Sequence, residues 1–313
     1  MSINRQMKKL SMIVFLIFTA AFTPIAAKFT VAEISPISLA FLRFGIAAVL
    51  LSALFLYKKL SFKIEKKDYR IFIILGALVI PVNQLFFLNG VNLSYASHSG
   101  VIYSCTPLFA YLLSIKIKHE HFSVHRLFPI ILSIAGIVVI FYESIIKTSA
   151  DKSTVLWGDL LLVGAVASWA AYITLSRDMV HKYGALKSST ISFAIGLLMY
   201  VPFFLYDLPN LTFSRLTMSG IIGFVHLSVI VAFAGYFVFT YATKYISVTT
   251  LTTSTNISPV ITILFSWVLL KEELSYFFIA GAVITFTGVF LSQIKNGVFQ
   301  YTLSNNGNSK VQF

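Results

Sequence analysis

Ten apolar runs, each long enough to cross a lipid bilayer as a helix, constrain this chain more than any other feature. A helix needs about 20 apolar residues to span roughly 30 Å of hydrocarbon, where backbone groups find no partners except each other. The sequence therefore predicts an all-α integral membrane protein with ten transmembrane helices. The predicted spans are residues 10–27, 36–57, 71–88, 97–115, 127–142, 155–175, 189–206, 218–241, 248–270 and 277–294.

Composition favours the lipid bilayer as the partner of this chain. Hydrophobic residues make up 58% of the sequence and charged residues 11%, whereas a soluble domain carries about 25% charged residues. The net charge of +13 comes from Lys and Arg in short loops rather than in one basic domain, which argues against nucleic-acid binding. Cys105 is the only cysteine, so no intrachain disulfide, metal site or cofactor is predicted.

The positions of Lys and Arg predict the orientation, because short cytoplasmic loops retain these residues. Most of them lie in the even-numbered connections, in segments 58–70, 116–126 and 177–187 and at Lys244. Both termini of this multi-pass protein are therefore predicted on the cytoplasmic side of the cell (cytoplasmic) membrane. Residues 295–313 are predicted to be a disordered cytoplasmic tail. A cleaved signal peptide is the alternative interpretation of the first span.

The chain contains an internal repeat at an offset of 152 residues, first seen between Pro107 and Pro259. The same offset pairs Leu112 with Leu264, Ser114 with Ser266, Glu120 with Glu272, Ser123 with Ser275 and Gly136 with Gly288. Residues 13–142 and 157–292 each hold five predicted spans, an odd number, so the second half is predicted to enter the membrane from the opposite side. Two inverted five-helix repeats are typical of carriers that work by alternating access.

Short motifs in both halves resemble the EamA-type branch of the drug/metabolite transporter superfamily. These motifs are Phe22-Thr23-Pro24 leading to Lys28, Pro36 followed by Leu42-Arg43-Phe44, Ser168-Trp169-Ala170-Ala171-Tyr172 leading to Ser176-Arg177, and two Pro…Glu-x-(Phe/Leu)-Ser segments. The resemblance covers nearly the whole chain, although Phe22 stands where the family more often has Trp. It implies a secondary exporter or exchanger of small metabolites, amino acids or drug-like compounds, with no ATP site of its own.

A membrane-embedded channel and an intramembrane enzyme are the alternative functions. The inverted repeat argues against a channel. The sequence contains no P-loop, zinc-binding helix or nucleophile elbow, the motifs that would indicate hydrolysis. His98 and Ser99 resemble a base and a nucleophile, but sequence neighbours on a helix do not face each other. We therefore predict that the protein is not an enzyme.

Polar residues within the predicted spans are the candidates for a substrate site, because each is costly in lipid. Arg43 lies about 10 Å deep in the second span, where it either attracts a substrate anion or snorkels and binds helix carbonyls. Trp169 and Tyr172 are three residues apart and share one helix face, which either stacks on a substrate or packs between helices. The other cavity candidates are Asn83, Gln84, Tyr103, His226 and Asn256.

Pro107 and Pro259 are predicted hinges, because proline inside a span frees carbonyls and kinks the helix. Packing alone is the alternative explanation for this pair. Glu120 and Glu272 are predicted to be structural, each lying near the start of the following span. Ser123 and Ser275 are the predicted N-caps of those two spans.

No Asp or Glu lies in the middle of a predicted span, so the sequence shows no obvious carboxylate that could carry protons during transport. Asp159, in the first predicted turn of the sixth span, is the deepest acid. His226 would be the candidate if protons are coupled to transport, because the reference pKa of histidine is about 6.5. Our hypothesis is facilitated exchange or export down a gradient.

Overall fold

The computed structural model describes residues 3–117, 127–146, 150–212, 216–242, 255 and 257–294. All regular secondary structure within these ranges is helical. The helices are α1 (Ile3–Val31), α2 (Pro36–Tyr57), α3 (Tyr69–Ala77), α4 (Asn83–Leu93), α5 (Ala96–Ser104), α6 (Thr106–Ile117), α7 (Leu127–Ile146), α8 (Ala150–Tyr183), α9 (Ala185–Asp207), α10 (Met218–Val225), α11 (Tyr236–Ala242), α12 (Ser258–Leu269) and α13 (Tyr276–Ile294). The π-helical segments Leu78–Val82 and His226–Gly235 join α3 to α4 and α10 to α11.

Six helices in the described part of the chain are long and apolar enough to cross a membrane. They are Gln6–Val31, Pro36–Tyr57, Lys66–Leu93, Thr154–Tyr183, Ala185–Asn210 and Met218–Phe239. Three shorter apolar helices, Leu127–Tyr142, Ser258–Leu269 and Tyr276–Ser292, fall on the predicted fifth, ninth and tenth spans. Large apolar side chains such as Leu198 and Tyr276 are exposed, which suits a surface that faces lipid. The prediction of an all-α membrane protein is confirmed.

The predicted fourth span is not one continuous helix. It is divided at Cys105 into α5 and α6, and Pro107 is the second residue of α6. Pro259 is likewise the second residue of α12. Both prolines therefore lie in the first turns of their helices, where a missing N–H leaves no helical hydrogen bond unmade, and their role as hinges stays a prediction. Glu120, Ser123 and residues 295–313 lie outside the described residues.

Helix ends meet at two opposite ends of the bundle. At one end, named here the α1–α2 end, Glu33 follows α1 and accepts a hydrogen bond from the backbone N–H of Thr217, just before α10, at 2.8 Å. At the same end, Asp207 of α9 accepts from the backbone N–H of Ser38 in α2 at 3.1 Å. At the other end, Lys187 Nζ donates to the carbonyl of Lys63 at 2.5 Å. These contacts tie loops from both halves of the chain together.

Close packing of α7 against α13 depends on small residues. A Cβ on Gly136 would lie 2.5 Å from the carbonyl oxygen of Gly281, and a Cβ on Gly288 would lie 2.6 Å from the backbone nitrogen of Ser133. Ser133 Oγ donates to the carbonyl of Thr285, and Thr285 Oγ1 donates to the carbonyl of Ser133, both at 3.4 Å. Gly136 and Gly288 therefore allow close helix approach, as helix packing in lipid favours small residues.

Candidate functional site

Arg43 lies in the middle of the bundle with few partners. Its side chain belongs to α2 and is 3% exposed. Nη1 donates to Oε1 of Gln84 at 3.2 Å, and Nε has no hydrogen-bond partner. The guanidinium carbon lies 5.1 Å from the ring centroid of Phe44. Within the described residues, no carboxylate lies within ion-pair distance of Arg43. Arg43 is therefore a buried cation without a counter-ion, and it does not snorkel to the surface.

Asn83 and Gln84 are placed by the π-helical segment that precedes them. Pro81 lies within that segment and has no N–H, so the regular α-helical hydrogen-bond pattern is interrupted there. Gln84 Nε2 donates to Asn83 Oδ1 at 2.7 Å, which leaves the Gln84 carbonyl oxygen facing Arg43. Asn83 Nδ2 donates to the carbonyl of Ala165 at 2.8 Å and to Ser168 Oγ at 3.1 Å. The amide pair therefore links α2 to α8.

Tyr103 and the aromatic residues of α8 complete this group. The Tyr103 ring lies edge-on to Phe87 of α4, with centroids 5.6 Å apart. The rings of Trp169 and Tyr172 stack with centroids 5.5 Å apart, which confirms that the two share one helix face. We call seven residues the central cluster: Arg43, Asn83, Gln84, Tyr103, Trp169, Tyr172 and Tyr236.

Tyr236 was not predicted from the sequence, yet it joins the two sides of the central cluster. Trp169 contacts its ring at a centroid distance of 5.6 Å, and Phe193 of α9 contacts it at 4.9 Å. Phe193 also contacts Phe44, the residue beside Arg43, at 5.0 Å. Edge-to-face contacts at these distances are favourable. Aromatic side chains therefore form a continuous wall from α8 through α11 and α9 to α2.

His226 lies beside the central cluster and begins the second π-helical segment. Its Nε2 atom is buried and has no hydrogen-bond partner among the described residues. The ring of Phe22 lies edge-on to the His226 ring at 6.5 Å. Asn256, the remaining cavity candidate, lies outside the described residues. The structure thus brings Arg43 and five other predicted residues together, with His226 at the margin.

A second polar group, near the α1–α2 end, joins α4, α5 and α8. Asp159 of α8 is 0% exposed and accepts a hydrogen bond from Ser94 Oγ. His98 Nδ1 lies 3.0 Å from both carboxylate oxygens of Asp159. The His98 ring stacks on Phe278 of α13, with centroids 5.1 Å apart and planes 4° apart. His98 therefore pairs with Asp159 and not with its neighbour Ser99.

Helix ends in this region are matched by charges of the appropriate sign. Lys28 Nζ donates to the carbonyls of Val91 and Ser94, at 2.9 Å and 2.5 Å, at the C-terminus of α4. Glu272 accepts hydrogen bonds from the backbone N–H groups of Ala96 and Ser97, at 2.7 Å and 3.0 Å, at the N-terminus of α5. Such placements are favourable because of the helix dipole. We call Lys28, Ser94, His98, Asp159 and Glu272 the end network.

The structural role predicted for Glu272 is supported, but its helix is different from the one expected. The sequence suggested the start of the following span, α13. Ser275 caps α13 as predicted, since its Oγ accepts from the backbone N–H of Phe278 at 3.0 Å. Glu272 caps α5, which is distant in sequence, because the loop before α13 lies beside the start of α5.

A groove of about 370 Å³ lies away from the central cluster, between α5, α12 and α13. Ser104 and Thr287 supply its polar side chains, and both hydroxyls donate to carbonyls of their own helices, at 2.6 Å and 2.7 Å. The rest of its lining is apolar: Val260, Phe286, Val289, Phe290 and Leu291. This groove offers no charged group to a solute, so the central cluster is the stronger candidate site. Within the described residues, no group of three His, Cys, Asp or Glu side chains could hold a metal ion.

Known proteins and a solved structure are similar to this chain over most of its length. The model of the EamA-like transporter family matches residues 7–142 and 156–293. An uncharacterized transporter of Archaeoglobus fulgidus is 25% identical over 294 residues, which cover 93% of this chain and 99% of the relative. The uncharacterized transporter YyaM of Bacillus subtilis is 27% identical over 281 residues, covering 88% and 90%. A crystal structure with 15% identity and a TM-score of 0.60 covers 95% of this chain and 99% of its own, and shows the same fold. This chain belongs to the EamA-like transporter family.

Proposed function

We propose that this protein is a secondary transporter that exports or exchanges small metabolites, such as amino acids, across the cytoplasmic membrane by alternating access. Arg43 is the observation that carries the proposal. Its guanidinium is 3% exposed, lacks a counter-ion and lies within an apolar bundle of a transporter family. An ionisable group inside a membrane bundle is expensive and is typical of a transport pathway. The central cluster is the proposed substrate site.

Two inverted repeats, residues 13–142 and 157–292, would provide the two alternating conformations. The family model matches twice, once in each half. Ser133 and Thr285 are 152 residues apart, and each donates a hydrogen bond to the carbonyl of the other. Reciprocal contacts of this kind are expected between surfaces related by a two-fold axis. The pairing of α7 with α13 therefore supports an axis of pseudo-symmetry between the halves.

Helix contacts elsewhere follow the same pseudo-symmetry. In the proposed repeat α8 is the counterpart of α1, α9 of α2, and α10 and α11 of α3 and α4, while α12 corresponds to α6. Contacts of α1 with α12 are matched by those of α8 with α6. Contacts of α2 with the second π-helical segment are matched by those of α9 with the first. The chain has ten spans if four are added to the six long helices. These four are α5 together with α6, then α7, α12 and α13.

The proposed orientation places both termini in the cytoplasm. At the end of the bundle opposite the α1–α2 end, nine basic residues surround the helix ends: Lys58, Lys59, Lys63, Lys66, Lys67, Arg70, Arg177, Lys182 and Lys187. The α1–α2 end has Lys28, Lys152 and Lys271 among its described residues. Since cytoplasmic loops are enriched in Lys and Arg, the basic end is the proposed cytoplasmic end.

Pro107 and Pro259 are the proposed hinges of this transporter. Each begins a helix shortly after a break or turn in the chain, at Cys105 and at Ile257. The interruptions of the helix before α6 and α12, at equivalent positions of the two repeats, would let these helices rotate as units. The two π-helical segments next to the central cluster are also equivalent, and such segments are frequent at functional sites.

Counterflow in proteoliposomes would test the proposed function. Vesicles containing the purified protein would be loaded with unlabelled amino acids, nucleosides, nucleotide sugars or organic cations, and uptake of the labelled compound would be followed. We expect saturable uptake of one class that depends on the same class inside, with protein-free liposomes as the control. Protein-dependent ionic current without counterflow would favour a channel instead. A folded protein that exchanges no compound of any class would refute the proposed function.

A further inference from the structure

We infer that the central cluster binds the carboxylate of a small organic anion whose remaining part is aromatic or apolar, and that it prefers such a monocarboxylate to a zwitterionic amino acid. This inference rests on the proposed function and narrows its substrate class. Three observations carry it: the unused donors of Arg43, the aromatic wall beside them, and the positions of the acidic residues.

The first observation is that Arg43 has more hydrogen-bond donors than partners. A guanidinium has five N–H groups in a fixed fork. Arg43 uses one of them, toward Gln84, and its buried Nε has no acceptor. Leaving buried donors unpaired is costly, and the cost is higher for charged groups. A carboxylate can accept two parallel hydrogen bonds from this fork, which would satisfy the charge and the donors together.

The described groups around Arg43 are neutral, so none of them already pairs with its charge as an anion would. Gln84 contributes an amide oxygen, and the hydroxyls of Tyr103 and Tyr236 lie within electrostatic range of the guanidinium. Tyr236 makes no hydrogen bond through its hydroxyl within the described part of the chain, so this group can donate to a second carboxylate oxygen. In the proposed site, the guanidinium and a tyrosine hydroxyl would both donate to the bound carboxylate.

The second observation defines the rest of the ligand. A wall of aromatic rings is formed, in spatial order, by Tyr172, Trp169, Tyr236 and Phe193. The centroids of neighbouring rings are between 4.9 and 5.6 Å apart. Rings in this arrangement present faces and edges to an aromatic or apolar group, which they bind mainly by removing it from water. A small, strongly hydrated anion would leave this wall unused.

The third observation concerns the ammonium group of an amino acid. The sequence holds eleven acidic residues, and none of those described lies against the central cluster. Asp159 is held by His98, Asp207 caps α2, and Glu272 caps α5. An α-ammonium beside Arg43 would therefore meet a like charge and no carboxylate, which disfavours the zwitterion. A monocarboxylate has no such conflict.

A series of matched probes tests the inference in proteoliposomes. The probes are 3-phenylpropanoate, its amide, L-phenylalanine and 2-phenylethylamine, which share a ring and differ in charge. We expect counterflow of 3-phenylpropanoate, inhibited by L-phenylalanine at least about tenfold more weakly than by 3-phenylpropanoate itself, and not inhibited by the amide or the amine. Equal inhibition by the amide would overturn the carboxylate inference. Equal inhibition by phenylalanine would overturn the preference for a monocarboxylate.

Variants of Arg43 test whether its guanidinium binds the carboxylate of the probe. Arg43→Gln should lower 3-phenylpropanoate counterflow on the order of 30-fold or more, because it removes the charged partner of the carboxylate. Arg177→Gln is the matched control, since Arg177 is exposed near the end of α8. Thermal stabilisation by 3-phenylpropanoate in detergent gives a second measurement that does not need transport. It should occur in the native protein and in Arg177→Gln, and be lost in a folded Arg43→Gln.

The outcomes separate this inference from the proposed function. Exchange of another solute class that Arg43→Gln leaves unchanged would refute the inference and leave the transporter intact. Absence of exchange for every class would refute the proposed function and the inference with it. Stabilisation of Arg43→Gln by 3-phenylpropanoate equal to that of the native protein would also refute the inference.

Discussion

Arg43 and Asp159 are both buried charges in one helix bundle, but the central cluster and the end network surround them differently. Asp159 is 0% exposed and contacts Ser94 and His98 through both oxygens. Arg43 is 3% exposed and makes one hydrogen bond, to a neutral amide. One charge is held by complementary partners, and the other is surrounded by neutral groups.

This difference separates a structural role from a binding role. Buried polar networks with satisfied partners rigidify a structure, whereas a half-satisfied group lowers its stability. The end network joins α4, α5 and α8 at one end of the bundle, with Phe278 of α13 stacked on it. The central cluster has unused donors at the place where the proposed substrate binds. We expect substitutions in the two regions to affect stability and transport in opposite ways.

The largest expected effect compares Asp159→Ala with Arg43→Met. Asp159→Ala should lower the free energy of unfolding by about 3 kcal/mol, because it breaks a buried pair and leaves His98 and Ser94 without their acceptor. Arg43→Met should leave stability unchanged or raise it, since it replaces an uncompensated buried charge with an apolar chain of similar length, and it should abolish transport. Thermal unfolding in detergent and counterflow would measure both effects.

Asp178→Ala is the control for this comparison, because Asp178 is exposed on the same helix as Asp159. It should change the unfolding midpoint little. A loss of stability in Arg43→Met as large as that in Asp159→Ala would contradict the distinction between the two regions. Arg43 would then be part of the structural framework.

Sequence patterns predicted most of the central cluster because its polar members interrupt apolar spans. Arg43, Asn83 and Gln84 stand out in such runs, and the membrane makes their inward direction almost obligatory. Tyr236 and Phe193 gave no such signal, because aromatic residues make up 15% of the chain and lipid-facing positions use them as freely as the core does. Their role depends on which helices become neighbours, which a single sequence does not specify.

The form of the helix breaks was also beyond the sequence pattern, although Pro107 indicated an irregularity in the fourth span. The length of an apolar run indicates how many residues lie in the hydrocarbon layer. It does not indicate where the backbone hydrogen-bond pattern changes. The π-helical segment around Pro81 and the break at Cys105 both fall inside runs that look continuous. The partner of Glu272 was missed for a related reason, since it belongs to a helix start 175 residues away in the chain.

A smaller effect is expected for Glu272→Gln, which tests the charge of the end network without changing its shape. The amide can still accept one hydrogen bond from Ala96 or Ser97, but the negative charge at the N-terminus of α5 is lost. The expected loss of stability is about 1 kcal/mol. Glu273→Gln is the matched control, because Glu273 is the adjacent acid and is exposed.

Thermal unfolding of the two glutamine variants would measure this difference. Equal midpoints for Glu272→Gln and Glu273→Gln would show that the helix-end contact contributes nothing, and the end network would then depend on Asp159 and His98 alone. Transport should persist in both variants, since neither residue lies near the central cluster.

The smallest effect is expected for Lys67→Met at the proposed cytoplasmic end, where charges are exposed rather than buried. Lys67 Nζ lies 2.9 Å from Glu65 Oε2, and Lys182 Nζ lies 2.6 Å from Glu65 Oε1. Hydrogen bonds from Lys182 and then Lys67 lower the pKa of Glu65 from its ordinary value of 4.5. Water screens such pairs, so the unfolding midpoint should fall by about 1 °C or less.

The pH dependence of this small difference follows from the lowered pKa of Glu65. A carboxyl group with a depressed pKa stabilises the folded state above pH 4.5, and this stabilisation is lost as the pH falls through the lowered pKa. The midpoints of the native protein and Lys67→Met should therefore differ slightly at neutral pH and coincide in acid or at high salt. A difference that persisted in acid would mean that the Lys67 side chain stabilises the protein through packing instead of charge. The charge of the exposed Lys67–Glu65 pair would then contribute nothing to stability, unlike the charge of the buried Asp159.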